Sequence, residues 1–234
     1  MNIVIYLYHG ITALDAVGPY EILSRLPQAN VQFVGTQKGV IVTDTHFLKL
    51  VADYELAEID RADILVVPGS TVAFVRETKN QALLAWIQRI HTTTTWTTSV
   101  CTGSLILGAA GLLRGLPATS HWAARPLLAE YGAVPTAARY VIEGKIITAA
   151  GVSAGLDMAL GLVGKLCGAD RAQAQQLLVE YDPQPPYQSG NAERAAANTV
   201  DWSRSLLAKD ARKDLTLWDV VRHAQALLKL KKAR

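Results

Sequence analysis

The sequence predicts an α/β domain in which a mostly parallel sheet carries helices on both faces. Two observations lead there. Short apolar, β-branched runs alternate with longer runs of helical periodicity along most of the chain. Half of the 234 residues are hydrophobic and 18% are charged, a composition that can bury one large core. Asn2–Tyr8 reads as a buried strand, Leu14–Leu26 as a helix, and Val31–Gly35 and Phe47–Ala52 as strands. Ala62–Val67 is an apolar strand that stops at Pro68-Gly69-Ser70. Asn80–His91 places Leu83, Leu84, Ile87 and Ile90 at helical spacing. The β-branched and aromatic run Thr93–Thr98 then leads as a strand to Cys101. After an apolar helix come Ala118–Ser120, a helix from Trp122 to Tyr131, a hairpin turning at Glu143-Gly144, and the run Ile146–Gly151. Ser153 opens a long helix to Cys167, and Ala169–Tyr181 forms another.

Composition narrows the classes of function. The opening Met1–Tyr8 has no basic leader or cleavage site, and no apolar run reaches the roughly 18–20 residues that span a bilayer, so the expectation is a cytoplasmic protein away from membranes. Two cysteines, Cys101 and Cys167, make no disulfide framework and suit a reducing compartment. The net charge is +3, and after residue 200 nine Lys/Arg face four Asp, which leaves the body near neutral and points to no nucleic-acid partner. The five histidines show no HxH or HxxxH spacing, so no metal site is expected.

In sheets of this kind ligands bind outside the carboxyl ends of the strands. Four such ends matter: Tyr8-His9-Gly10, Pro68-Gly69-Ser70, Ser99–Gly103 and Ala150-Gly151. Cys101, in Thr98-Ser-Val-Cys-Thr-Gly-Ser104, falls at the switch from strand to helix, where a sharp turn lifts its side chain clear of the backbone and Gly103 permits close approach. Free amides and the helix dipole there favour a thiolate and predict a thiol pKa below the free value of about 8.5. Cys167 is assigned to packing. Asp15, in Leu14-Asp-Ala-Val-Gly-Pro19, has two readings: a helix N-cap with Pro19 in the first turn, or a carboxyl group leaning over the thiol and kept partly protonated by an apolar pocket. His121 is read as a structural histidine at a strand end, or as a group oriented toward the cysteine.

Taken together, Asp15 before Gly18-Pro19, Val67-Pro-Gly-Ser70, Ser99-Val-Cys-Thr-Gly103, Ala118-Thr-Ser-His-Trp122, Gly151-Val-Ser-Ala-Gly-Leu-Asp157 and Glu180-Tyr-Asp-Pro-Gln-Pro-Pro186 resemble the PfpI-like branch of the glutamine-amidotransferase-like superfamily. Within it the chain looks most like the isocyanide hydratases. The resemblance implies a flavodoxin-like three-layer sandwich over residues 1–190, with residues 191–234 as a helical extension packed on the domain or on a dimer partner. It implies a homodimer, an isocyanide substrate, no cofactor, Cys101 as nucleophile, Asp15 as proton carrier and Thr102 as a supporting catalytic group. Gly69, Ser70, Gly103, His121, Gly151 and Val152 would line or support the site, and movement of the Gly151–Ser153 turn could gate it. Many relatives carry Glu where this chain has Asp15, and the proteases and deglycases carry His where it has Thr102. Ser70 replaces a glycine common in the family. Two other readings stay open: glyoxalase- or deglycase-type thiol chemistry, and a redox or ligand sensor that oxidises Cys101 to the sulfinic acid. Too little chain follows Pro185 for the paired DNA-reading modules of related regulators.

Overall fold

A computed structural model describes residues 1–214. In order the elements are β1 (Asn2–Tyr6), α1 (Ala13–Leu23), β2 (Asn30–Gly35), β3 (Gly39–Val42), β4 (Lys49–Ala52), β5 (Tyr54–Glu55), β6 (Ile64–Val67), α2 (Phe74–Glu77) and α3 (Gln81–Thr93). There follow β7 (Trp96–Val100), α4 (Gly103–Ala109), β8 (Pro117–Ala118), β9 (Val134–Pro135), β10 (Tyr140–Glu143), β11 (Ile146–Ala149), α5 (Ala154–Cys167), α6 (Ala169–Leu178) and α7 (Ala197–Asp214). The main sheet has seven strands in the order β10-β11-β7-β6-β1-β2-β5. Every neighbouring pair is parallel except the β10–β11 hairpin.

The central strands are apolar throughout because helices cover both of their faces. Ile3–Tyr6 and Ile64–Val67 are all buried, a continuous run where a half-exposed strand would alternate. From β1 the chain moves one way to β2, and from β6 it moves the other way to β7. Right-handed crossovers therefore place α1 and α3 on opposite faces. The crevice at that reversal lies outside the ends of β1 and β6, where such folds hold ligands. Helix α5 joins α1, and small residues set their separation: a Cβ on Gly155 would lie 3.3 Å from Pro19, and one on Gly18 would lie 3.7 Å from Leu156.

Several sequence expectations change at their edges. The first strand stops at Tyr6 rather than Tyr8, and the helix expected over Leu14–Leu26 is Ala13–Leu23. Pro19 lies in the interior of that helix and not in its first turn. Phe47–Ala52 shortens to Lys49–Ala52, which pairs antiparallel with β3 in a ribbon outside the main sheet. The helix expected from Trp122 is a turn followed by a 3-10 segment, Arg125–Tyr131, because Pro126 cannot donate the amide an α-helical turn needs. Part of the C-terminal extension touches the body: Arg125 pairs with Glu193 at 3.1 Å, and the Arg204 guanidinium sits 5.2 Å from the Trp122 ring centroid. The rest of the expected helices, residues 215–234, lies outside the described residues. Among the described residues no helix is long and apolar enough to cross a membrane.

Close backbone packing where β6 meets α4 makes a direct stability test. A Cβ on Gly103 would stand 2.0 Å from the Val67 carbonyl oxygen and 2.9 Å from Pro68. Gly103→Ala is expected to cost about 2–4 kcal/mol in urea unfolding, whereas Gly190→Ala, with open space around the new methyl, should leave the midpoint nearly unchanged.

Candidate active site

The four strand ends do converge. Cys101 follows β7 directly and takes φ +58°, a left-handed conformation that costs an L-residue roughly 1–3 kcal/mol and persists only where its surroundings enforce it. The enforcing contacts are visible. The Cys101 amide donates to the carbonyls of Ala149 and Ala150, at 3.1 and 2.8 Å. Its carbonyl accepts the hydroxyls of Ser104 and Ser120, at 3.1 and 3.0 Å. The side chain points into the crevice between α1 and α5 and is 4% exposed. Both backbone amides that face its sulfur, Thr102 and Val152, stabilise the thiolate. Val152 itself has φ +27°.

Asp15 comes from the opposite side. Thr12 occupies the N-cap of α1, so Asp15 is the third helical residue, not the cap, and it is completely buried. Its Oδ2 accepts the Gly69 amide at 2.9 Å. Its Oδ1 is buried without a conventional hydrogen-bond partner, and the Cys101 thiol faces the carboxyl group. Burial raises the Asp15 pKa to about 7, against a smaller opposing pull from the Gly69 amide and the thiol. Asp44, just beyond β3, adds a further upward push.

Burial also pushes the Cys101 thiol well above its ordinary value, and the Asp15 charge adds to the effect. This corrects the expectation of a lowered thiol pKa. Helix α4 has seven residues, and the dipole effect at a helix end is worth up to about 2 kcal/mol, less than the cost of a bare thiolate in a dry crevice. Two acids in one such pocket do not both ionise near neutral pH. They hold at most one negative charge and titrate as a pair.

The remaining expected residues fall around this pair in distinct ways. The Thr102 hydroxyl is already engaged: it donates to the Ser70 carbonyl and accepts the Ser70 amide, each at 2.9 Å. Neither that hydroxyl nor the Ser70 amide is therefore available to developing charge, and the Thr102 and Val152 amides are. Gly69 must be glycine, since a Cβ there would lie 2.5 Å from the Thr102 nitrogen and 2.9 Å from the Cys101 Cβ. His121 packs on Gly151, where a Cβ would approach its ring to 2.8 Å. Burial lowers its pKa to about 4, and its Nδ1 accepts the Ala123 amide, so it stands as a neutral ring against the turn that carries Val152. Cys167 is half-buried at the end of α5, packed on the core. Sequence reading passed over Ser104, Ser120 and Tyr8. Tyr8 carried a signal in its place just beyond the first strand, in the strand-end segment Tyr8-His9-Gly10. The serines carried none beyond their place near Cys101. Among the described residues no group of three or more His, Cys, Asp or Glu could hold a metal ion.

This geometry can be set beside known proteins. A model of the DJ-1/PfpI family matches residues 1–165. The chain belongs to the DJ-1/PfpI family. Among curated DJ-1/PfpI relatives, an isonitrile hydratase of Pseudomonas putida is 39% identical over 203 residues, 86% of this chain and 88% of that protein. A THiJ/PfpI family protein from Pseudomonas syringae superposes with a TM-score of 0.85 at 37% identity, covering 91% of this chain and 88% of the other. Drosophila melanogaster DJ-1beta shares the fold, with a TM-score of 0.69 at 18% identity over 76% of this chain and 97% of its own. The flavodoxin-like α/β fold expected from the sequence is thereby established.

The shifted carboxyl group makes a stability prediction. The Asp15 pKa is raised from 3.8 to about 7 on folding, so the folded state favours the protonated form. That stabilisation is complete below about pH 4 and is lost as pH rises through 7. Relative to Asp15→Asn, which keeps an acceptor for Gly69 but cannot ionise, the wild type should lose on the order of 4 kcal/mol between pH 4 and pH 8. Urea unfolding of both proteins across that range measures it. Parallel curves would show that the carboxyl group is not perturbed.

Proposed function

We propose that the protein hydrates isocyanides to N-substituted formamides, with Cys101 as nucleophile and Asp15 as proton carrier. The observation that carries this reading is the buried Cys101–Asp15 pair, in which a soft nucleophile faces a carboxyl group whose pKa is about 7 and which can give and take a proton near neutral pH. The 39% identity to an isonitrile hydratase supports the same reaction class. An isocyanide carbon has to receive both a nucleophile and a proton. Thiolate sulfur forms a bond to that carbon while the proton of the pair is delivered to it, giving a thioimidate, R–N=CH–S–Cys101. Asp15, now a carboxylate, takes a proton from water as the oxygen adds to the same carbon, and passes that proton to the nitrogen, which leaves the carboxylate ready to accept the hydroxyl proton of the adduct. The tetrahedral adduct then expels the Cys101 sulfur as the C–O bond becomes a carbonyl, which releases R–NH–CHO and returns the shared proton.

The Thr102 and Val152 amides hold the sulfur while it carries charge at the start and end of the cycle. Gly69 keeps the Asp15 carboxyl turned toward the thiol. Ser70 and Gly103 fix the two turns against each other, and His121 with Gly151 backs the Val152 turn. Among the described residues no histidine bonds to the Cys101 sulfur, which disfavours peptide hydrolysis by a Cys-His pair and favours the hydratase reading over the deglycase one. The homodimer implied by the resemblance and the cytoplasmic location expected from the composition form part of the same proposal.

Formamide production from a simple alkyl isocyanide tests the reading. Cys101→Ala should abolish it, Cys101→Ser should nearly do so because an alcohol is far less acidic, and Cys167→Ser should retain it. Asp15→Asn should lower kcat by roughly 10²–10⁴-fold while remaining folded. Comparable turnover by wild type and Cys101→Ala would sink the mechanism. Intact-mass spectrometry during slow turnover should show an adduct of the whole isocyanide mapping to Cys101, and an adduct found only on Cys167 would reject the covalent route.

A further inference from the structure

Behind the Cys101–Asp15 pair runs a chain of hydrogen bonds that none of these steps uses. The Phe74 amide donates to Ser70 Oγ at 2.7 Å, the Ser70 hydroxyl faces the Tyr8 phenol, and Tyr8 Oη donates to the Pro68 carbonyl at 3.1 Å. Tyr8 is 3% exposed and Ser70 2%. An amide can only donate and a carbonyl can only accept, so the two hydroxyls between them point the same way along the chain. It closes on the Pro68–Ser70 turn.

That turn matters because of peptide planarity. The Pro68 carbonyl and the Gly69 amide belong to one rigid plane. Tyr8 grips the plane at its oxygen, and Asp15 accepts from it at the nitrogen, 2.9 Å away. Rotation of the plane would move both ends together. Pro68 has no N–H of its own to add a further grip. The rest of the turn is held elsewhere, with the Gly69 carbonyl accepting the Thr12 amide at 3.0 Å and the Ser70 backbone tied to the Thr102 hydroxyl.

We propose that Tyr8 is a positioning residue for the Cys101–Asp15 pair: its phenol, joined to Ser70, clamps the Pro68–Gly69 peptide plane and so keeps the Gly69 N–H on the Asp15 carboxyl group. The groups that face Asp15 are Cys101 from the turn after β7, Asp44 from beyond β3, Tyr8 from the end of β1 and the Gly69 amide. Tyr8 in turn faces Ser70, Tyr6 and Glu77 of α2. Burial raises the phenol pKa, so Tyr8 stays neutral and puts no charge beside the pair. Its influence passes through the peptide plane. Loosening the plane weakens the one amide that stabilises the Asp15 carboxylate, so Asp15 should become harder to ionise.

The decisive measurement is an infrared titration of the protonated Asp15 carboxyl band, recognised by its absence in Asp15→Asn. Tyr8→Phe keeps the ring that stacks on Tyr6 at 5.4 Å and removes only the hydroxyl, and Ser70→Ala removes the middle link. Each should raise the midpoint by roughly half to one pH unit, and the double variant should shift it no further than the larger single change. If Tyr8→Phe fails to fold, Ser70→Ala carries the same expectation alone. An unmoved midpoint, or additive shifts, would overturn the proposal. A second readout rests on the hydratase reading: kcat/KM for an alkyl isocyanide at pH 7 should fall roughly tenfold in Tyr8→Phe. A shifted midpoint in a protein whose wild type turns over no isocyanide would leave Tyr8 in its place and remove the hydratase reading instead.

Discussion

A carboxyl group with no solvent-exposed surface, facing a thiol, is the constraint around which the site is arranged. Desolvation alone would hold Asp15 protonated well above the usual carboxylate range, and the Gly69 amide, with the Cys101 thiol, moderates this. Moving that amide away would leave a group that ionises too reluctantly to exchange protons near neutral pH. Adding stronger donors would leave a permanent anion beside Cys101 and suppress the thiolate further. The arrangement tolerates one negative charge and no more. Glycine at position 69 follows from the same constraint, because any side chain there would collide with Thr102 before the carboxyl group could be reached.

Two of the five described non-glycine residues with positive φ lie at the site. Cys101 and Val152 both hold positive φ without being glycine, and each presents either the sulfur or an amide directed at it. The fold compensates with ordinary contacts: strand hydrogen bonds on the Cys101 amide, and two serine hydroxyls on its carbonyl. Residues of this kind lower stability while fixing geometry, and the perturbed acid adds to the same cost. The apolar central strands, buried on both faces, supply the offsetting core.

The two catalytic candidates come from different parts of the sheet, and the topology explains how they meet. Cys101 ends β7, and Asp15 begins the helix that follows β1, with β6 between those strands. The turn after β6 is therefore the natural bridge, and Pro68-Gly69-Ser70 contacts both sides: Gly69 with Asp15, Ser70 with Thr102. Close packing of α1 on α5 through Gly18, Pro19 and Gly155 shuts the crevice from the other direction and accounts for the dryness that perturbs both acids.

Much of this was legible in the sequence. Periodicity marked the strands and helices of an α/β sandwich, because burial on two faces demands continuous apolar runs whatever the partners are. The Ser99-x-Cys101-x-Gly103 spacing marked the strained turn, since close approach to β6 requires a glycine there. Local pattern could not decide between cap and acid for Asp15, because both readings need an Asp near a helix start. Tertiary structure removes the cap reading, since Thr12 holds the N-cap and the Asp15 side chain is buried against the loop after β6. The direction of the Cys101 shift was likewise out of reach, for desolvation depends on what covers a group and the helix start beside Cys101 says nothing of the cover. Tyr8 is 60 positions from Pro68 along the chain, and only folding joins a phenol after β1 to a peptide plane after β6. Sequence determines which residues sit at strand ends. Which of those ends share a proton is set by the order of the strands and the water they exclude.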